Sequence, residues 1–175
     1  MKKLLSTLAI LTASFSLATA GDYSAKAPVA PAPVAGCTAF DPGFEMSAYL
    51  AGELPSGGSD AIGAGIGFAY FFTENIGIDT NYAAFNSDPA VHHFITADLV
   101  LRFPIKSACI APYVFGGGGV VANSSTETLW RIGAGVDYRP AALGNIGLFA
   151  DGSYNWIGGN ISDTTIVRLG VRLPF

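Results

Sequence analysis

From position 44 to the C-terminus, large apolar side chains take every second place. Small or polar residues fill the places between, and clusters of Gly, Ser, Asn, Asp and Pro interrupt the alternation at intervals. A period of two belongs to strands that present two different faces. It predicts eight strands, at 44–53, 61–72, 76–85, 91–103, 110–121, 128–139, 145–156 and 164–175. In the last, Val167, Leu169, Val171, Leu173 and Phe175 line one face, against Ile166, Arg168, Gly170, Arg172 and Pro174. In the sixth, Trp130, Ile132, Ala134, Val136 and Tyr138 oppose Arg131, Gly133, Gly135, Asp137 and Arg139. The second sets Ile62, Ala64, Ile66, Phe68, Tyr70 and Phe72 against Ala61, Gly63, Gly65, Gly67, Ala69 and Phe71. The third sets Ile76, Ile78, Thr80 and Tyr82 against Gly77, Asp79, Asn81 and Ala83.

The less apolar face is mostly glycine and alanine with a few charges of both signs. It lacks the Lys and Glu of an ordinary solvent face. The bulky apolar face would overfill a narrow interior, whereas small residues and a few charges fit one. The apolar face is therefore expected to point outward, into lipid. Composition agrees: the 175 residues are 50% hydrophobic and only 13% charged, against about 25% charged in soluble domains. No internal apolar run reaches the length of a membrane helix.

Strands of this length cross a bilayer when tilted, and their number is even. Each unpaired backbone group in hydrocarbon costs several kcal/mol, so such a sheet has to close on itself. The expected fold is all-β: an eight-stranded antiparallel transmembrane β-barrel in an up-and-down meander. With the chain starting in the periplasm, Tyr70, Phe72, Phe103, Tyr138 and Phe175 fall near one membrane interface. Tyr82, Trp130, Tyr154 and Trp156 fall near the other, which makes two aromatic belts. The connections at 73–75, 104–109 and 140–144 lie on the periplasmic side, and short outer loops lie at 54–60, 86–90, 122–127 and 157–163.

Eight strands enclose room for side chains only. The register sends Glu45, Glu53, Asp79, Asp98, Asp137 and Asp151 inward, with Arg102, Arg131, Arg139, Arg168 and Arg172. Buried charges need partners, so these residues are expected to form an inner salt-bridge network that closes the lumen.

The N-terminus has its own chemistry. Lys2 and Lys3 precede an apolar stretch from Leu4 to Leu17, and Ala18-Thr19-Ala20 forms an A-x-A site. Residues 1–20 read as a cleaved secretory signal peptide. Its removal leaves 7 basic and 13 acidic residues, a net charge of −6, which disfavours nucleic acid as a partner. Residues 21–43 are rich in Pro and Ala and read as an extended periplasmic tether, leaving 44–175 for the barrel. Cys37 and Cys109 face an oxidising compartment. Either a disulfide joins them or they stay two unpaired thiols, and no further Cys or His ligands accompany them for zinc. A Cys109 in a periplasmic turn, on the side where the tether emerges, makes the disulfide geometrically reasonable.

The signal peptide, the eight amphipathic strands and the terminal Ile166-Val167-Arg168-Leu169-Gly170-Val171-Arg172-Leu173-Pro174-Phe175 resemble the small bacterial outer-membrane barrels of the OmpA, OmpX and opacity-protein type, a porin-like class. The alternating end, with Leu173 and Phe175, is similar to the signal read by the barrel-assembly machinery. The resemblance implies insertion by that machinery into the bacterial outer membrane, with outer-membrane lipid as the surrounding partner. It does not fix an activity.

Some eight-stranded barrels modify lipid A, using His and Ser near the outer leaflet. Here His92-His93 is the only histidine pair, and no serine follows two residues on. Adjacent histidines in a strand point to opposite faces. Gly116 to Gly119 lacks the Lys-Ser/Thr and strand–helix context of a phosphate loop, and reads as steric relief or a kink within a strand. The sequence thus points to a monomeric barrel with a structural or surface-interaction role, no catalytic residue and no cofactor or metal. Any surface ligand is left unidentified. A small porin-like channel, a lipid A-modifying enzyme and a soluble lipocalin-type barrel are the alternatives.

Overall fold

The structure, a computed structural model, describes residues 40–87, 91–123, 125–144, 146–159 and 161–175, all within the compact unit Pro33–Phe175. The signal peptide and most of the tether, with Cys37, lie outside the described residues. Eight strands follow in order: β1 (Gly43–Pro55), β2 (Ala61–Phe71), β3 (Ile76–Asn86), β4 (Val91–Arg102), β5 (Ile110–Ala122), β6 (Thr126–Tyr138), β7 (Gly147–Ile157) and β8 (Thr164–Pro174). Each pairs antiparallel with the next, and β8 returns to β1, so the sheet is a closed barrel in meander order. Closure removes both sheet edges. At the seam Ala48 pairs with Val171 and Leu50 with Leu169, and the Phe175 amide donates to the Phe44 carbonyl at 3.0 Å.

Both ends of the barrel chain and three connections share one rim, here the turn end. The other four connections, none longer than six residues, share the opposite rim, the loop end. Strand limits differ from the sequence reading where turn chemistry decides them. The β5–β6 hairpin runs on through Val121↔Glu127 and Ala122↔Thr126, because Thr126-Glu127-Thr128 favours extended backbone. Asn123 Oδ1 accepts from the Ser125 amide at 3.0 Å and closes that turn. At the turn end a 3-10 turn at Ala141–Leu143 and a positive φ at Gly144 delay β7 to Gly147. The pairing of Gly116 to Gly119 is unbroken on both sides. A Cβ on Gly117 would lie 2.7 Å from Asp98 Cα, and one on Gly119 2.8 Å from Thr96 Cα. The run therefore gives steric relief and no kink.

No outward position of the eight strands carries Asp, Glu, Lys or Arg. Leu50, Ile62, Ile132, Leu169 and Trp130 stand fully outside, Trp130 at 71% exposure. An apolar skin of this extent has no place in water; it matches hydrocarbon. Aromatic residues flank it at both rims. Phe44, Tyr70 and Phe72 stack in series at the turn end, with ring centroids 4.6 and 5.1 Å apart. At the loop end Tyr154 meets Trp156 edge-on at 5.1 Å, and Trp156 pairs with Trp130 across the ladder.

The interior corrects one premise of the sequence reading. Large rings do enter the lumen: Tyr49, Phe71, Phe85, Phe94, Tyr113, Phe115 and Phe149 are all buried there. Glycines on neighbouring strands make the space. A Cβ would lie 2.5 Å from the Tyr49 ring at Gly65, 2.6 Å from Phe71 at Gly77 and 2.7 Å from Phe85 at Gly63. At Gly133 it would strike the Phe115 ring. Four inward glycines thus face inward rings, and the lumen packs as a solid core.

Candidate functional site

The inward side chains sort into two halves along the barrel axis. Near the turn end, Glu45 accepts from Arg102 Nη1 at 2.9 Å and from Arg139 Nη2 at 2.8 Å. Asp137 accepts from Arg139 Nε and Nη2 at 3.2 and 2.9 Å, and from Arg172 Nη1 at 3.2 Å. These five residues form one chain of ion pairs. Deeper in, Asp151 accepts from Arg168 Nε at 2.7 Å, Arg168 Nη2 at 2.8 Å and the Tyr113 hydroxyl at 2.6 Å. Arg131 Nε donates to Asp98 at 2.9 Å. All five arginines and their four acidic partners are buried.

Every one of these arginines also lies over an aromatic ring. Arg102 is 3.7 Å from the Phe71 centroid, Arg131 4.9 Å from Phe115, Arg168 5.0 Å from Tyr49 and Arg172 4.7 Å from Phe149. Arg139 and Arg102 share the ring of Phe40, at 4.8 and 5.2 Å. A guanidinium gains about 0.5–2 kcal/mol over a ring face. The rings also separate like charges while hydrogen bonds fill the guanidinium edges. Phe40 precedes β1 and is 1% exposed; its carbonyl accepts from Arg102 Nη2 at 3.4 Å. Phe40, assigned from the sequence to the end of an extended tether, packs instead as a stopper in the turn-end mouth.

The loop-end half is filled by apolar side chains. Phe85, Phe94, Val121, Leu129, Ile157 and Ile166 form its core, continuous with Tyr49 and Phe149 nearer the arginines, with Phe85 and Phe94 edge-to-face at 5.3 Å. The arginine network therefore gathers in the turn-end half and the middle of the barrel, and in the loop-end half apolar side chains pack as a plug around buried Glu53, Asn155 and Thr164. Asp79 points inward and is buried opposite Asp98. No hydrogen bond or close ion pair joins it to a described residue, and its charge acts on Arg168 and Arg172 across the lumen.

The histidines part as strand geometry requires. His92 turns inward and its Nδ1 lies 3.3 Å from Glu53 Oε2. His93 turns outward, stacked on Tyr82 with its Nδ1 2.9 Å from the Tyr82 hydroxyl. Among the described residues no group of three or more His, Cys, Asp or Glu is arranged to hold a metal ion. Cys109 is not a free thiol, while Cys37 lies outside the described residues. At the C-terminus Leu173 pairs with Met46, and Phe175 is 79% exposed at the turn-end rim.

Solved structures sharing this architecture include outer-membrane proteins and a designed transmembrane β-barrel. Neisserial surface protein A matches with a TM-score of 0.60 at 20% identity, covering 75% of this chain and 96% of that one. The fold is that of the small outer-membrane β-barrels. The attachment invasion locus protein Ail of Yersinia pestis matches at 0.55 and 16% identity, covering 76% of this chain and 99% of its own. The outer membrane enzyme PagL matches at 0.53 and 15% identity, covering 75% and 99%. No protein-family model and no curated protein sequence matches the chain. At these identities the shared feature is the barrel, and one barrel scaffold serves surface proteins and an enzyme alike.

The rings that sandwich the arginines escaped the sequence reading. The signal was available in parity. Phe71 alternates in step with Gly67 and Ala69, as Phe115 does with Gly117 and Gly119. Phe40 carried no such signal, because it precedes the alternating pattern.

Proposed function

We propose that the chain is an integral barrel of the bacterial outer membrane whose lumen conducts nothing, and whose role is structural or surface-interacting. The observation that carries this reading is the doubly closed lumen inside an uncharged outer skin. An ion entering at either rim meets buried, paired arginines and carboxylates or close-packed, mostly apolar side chains. In this reading residues 1–20 direct export and are removed, and the assembly machinery takes up the Leu173–Phe175 end. The barrel then stands as a monomer in outer-membrane lipid. A Cys37–Cys109 disulfide holds the Pro/Ala tether beside the turn-end rim. The test is reconstitution into planar bilayers alongside gel mobility with and without boiling. Heat-modifiable mobility without conductance steps is expected. Discrete steps would favour the channel, and a mobility unchanged by boiling would remove the barrel from the membrane.

A second reading rests on Glu53 and His92. A carboxylate beside an imidazole nitrogen is the orienting half of a nucleophilic triad. Among the described residues neither histidine bonds a serine, threonine or cysteine. The proposal is therefore a barrel without catalysis. A lipid A acyl pattern that differs between the wild type and His92→Ala would reverse it.

A further inference from the structure

We propose that the boundary between the ionic half and the apolar plug is a binding site for a single buried water molecule. A cavity of about 10 Å³ lies there, lined by Asn81, Thr96, Arg131, Arg168, Tyr49 and Phe94 among others, all buried. Two buried side-chain polar atoms of residues lining this cavity, Asn81 Nδ2 and Thr96 Oγ1, have no hydrogen-bond partner within the described protein. Two independent features thus coincide, a void and a pair of unanswered polar atoms.

The orientation of Asn81 follows from its neighbour. Arg168 Nη1 lies 2.8 Å from the near atom of the amide. A guanidinium only donates, so that atom is the oxygen and the amide nitrogen is turned away with its hydrogens unanswered. Asn81 and Thr96 are cross-strand partners on the inner face, which holds the amide and the hydroxyl side by side. Arg131 meets Asp98 through Nε and Nη2, each 2.9 Å from a carboxylate oxygen, and the second Nη2 hydrogen is left for another acceptor. A water here accepts from Asn81 and Arg131 and donates to the Thr96 oxygen. Three bonds is the usual number for a buried water.

Size selects the occupant. Three donor groups would also suit a small anion, but about 10 Å³ is roughly one water-sized probe sphere and too small for chloride. The neighbouring Phe85, Phe94 and Ile166 leave no further polar partner toward the loop end. The site completes the bonding of Asn81 and Arg131 that positions Arg168 and Asp98.

The test is a high-resolution crystal structure of the full barrel, grown with and without bromide. We expect one density peak at hydrogen-bond distance from Asn81 Nδ2, Thr96 Oγ1 and Arg131, with no anomalous signal. An empty map, or a bromide signal at the site, overturns the proposal. Denaturant unfolding of Thr96→Val supplies a second readout. If the water is bonded, losing the hydroxyl lowers the midpoint. If the hydroxyl has no partner, its removal leaves the midpoint unchanged or raises it, and the proposal fails.

Discussion

The two halves of the lumen solve one problem, filling a narrow barrel, in opposite ways. The turn-end half uses five arginines, their acids and the rings between them. The loop-end half uses Phe85, Phe94, Leu129, Ile157 and their neighbours around one carboxylate–imidazole pair, Glu53 and His92. The apolar half is stabilised by burial and dispersion, and it tolerates shape-conserving exchange. The ionic half is satisfied only when complete, because each member leaves a stranded charge if its partner goes. The halves should therefore differ less in total stability than in how they fail.

The largest effect is expected where one member of the ionic half is removed. Arg168 answers Asp151 twice and Asn81 once. Arg168→Met strands the Asp151 carboxylate with only Tyr113 and should cost about 3–5 kcal/mol. The triple variant Tyr113→Phe, Asp151→Leu, Arg168→Met removes both charges and the hydroxyl together and should recover most of that loss. Denaturant unfolding in detergent measures both. Equal losses would show that the ionic half fails piecemeal, as the apolar half does.

In the plug, Phe85→Ala should cost about 3 kcal/mol, the cost of deleting a fully buried ring and leaving a cavity. Phe85→Leu should cost much less, since volume is nearly kept. No conductance should appear with either variant, because the ionic half still closes the lumen. Current through Phe85→Ala would mean that the plug alone forms the seal.

Most of this architecture is visible along the chain, and the reason is the pleat. A period of two fixes register wherever the two faces meet different media. Trp130 against Arg131 and Leu169 against Arg168 therefore read correctly without any fold in hand. The division of the lumen is not visible that way. It depends on barrel shear, which brings Glu45 of β1 beside Arg102 of β4 and Arg139 beyond β6, residues 57 and 94 positions away. Alternation says that these side chains point inward, not at which height they meet. The same shear sets Glu53 against His92, while Asp79 lies opposite another acid, Asp98.

Packing between glycines and rings offers a smaller test shared by both halves. A methyl at Gly65 would press on Tyr49, and one at Gly133 on Phe115. Overpacking of this kind costs about 1–3 kcal/mol. Gly133→Ala should be partly rescued by Phe115→Leu, which withdraws the ring. Absence of rescue would mean that the backbone contact with Gly152, also close to that position, sets the cost.

The smallest effect is expected at the stopper. Phe40 lies under Arg102 and Arg139 at the turn-end mouth, outside every strand. Phe40→Ala removes two cation–π contacts, and the short segment before β1 is able to settle into the gap. The loss should be about 1–2 kcal/mol. Phe40→Leu separates the two contributions. It keeps most of the apolar volume but offers no π face, so a loss equal to that of Phe40→Ala assigns the stopper to its arginine contacts. A Phe40→Leu variant as stable as the wild type would assign it to burial alone, and the turn-end mouth would then be sealed by the same physics as the plug.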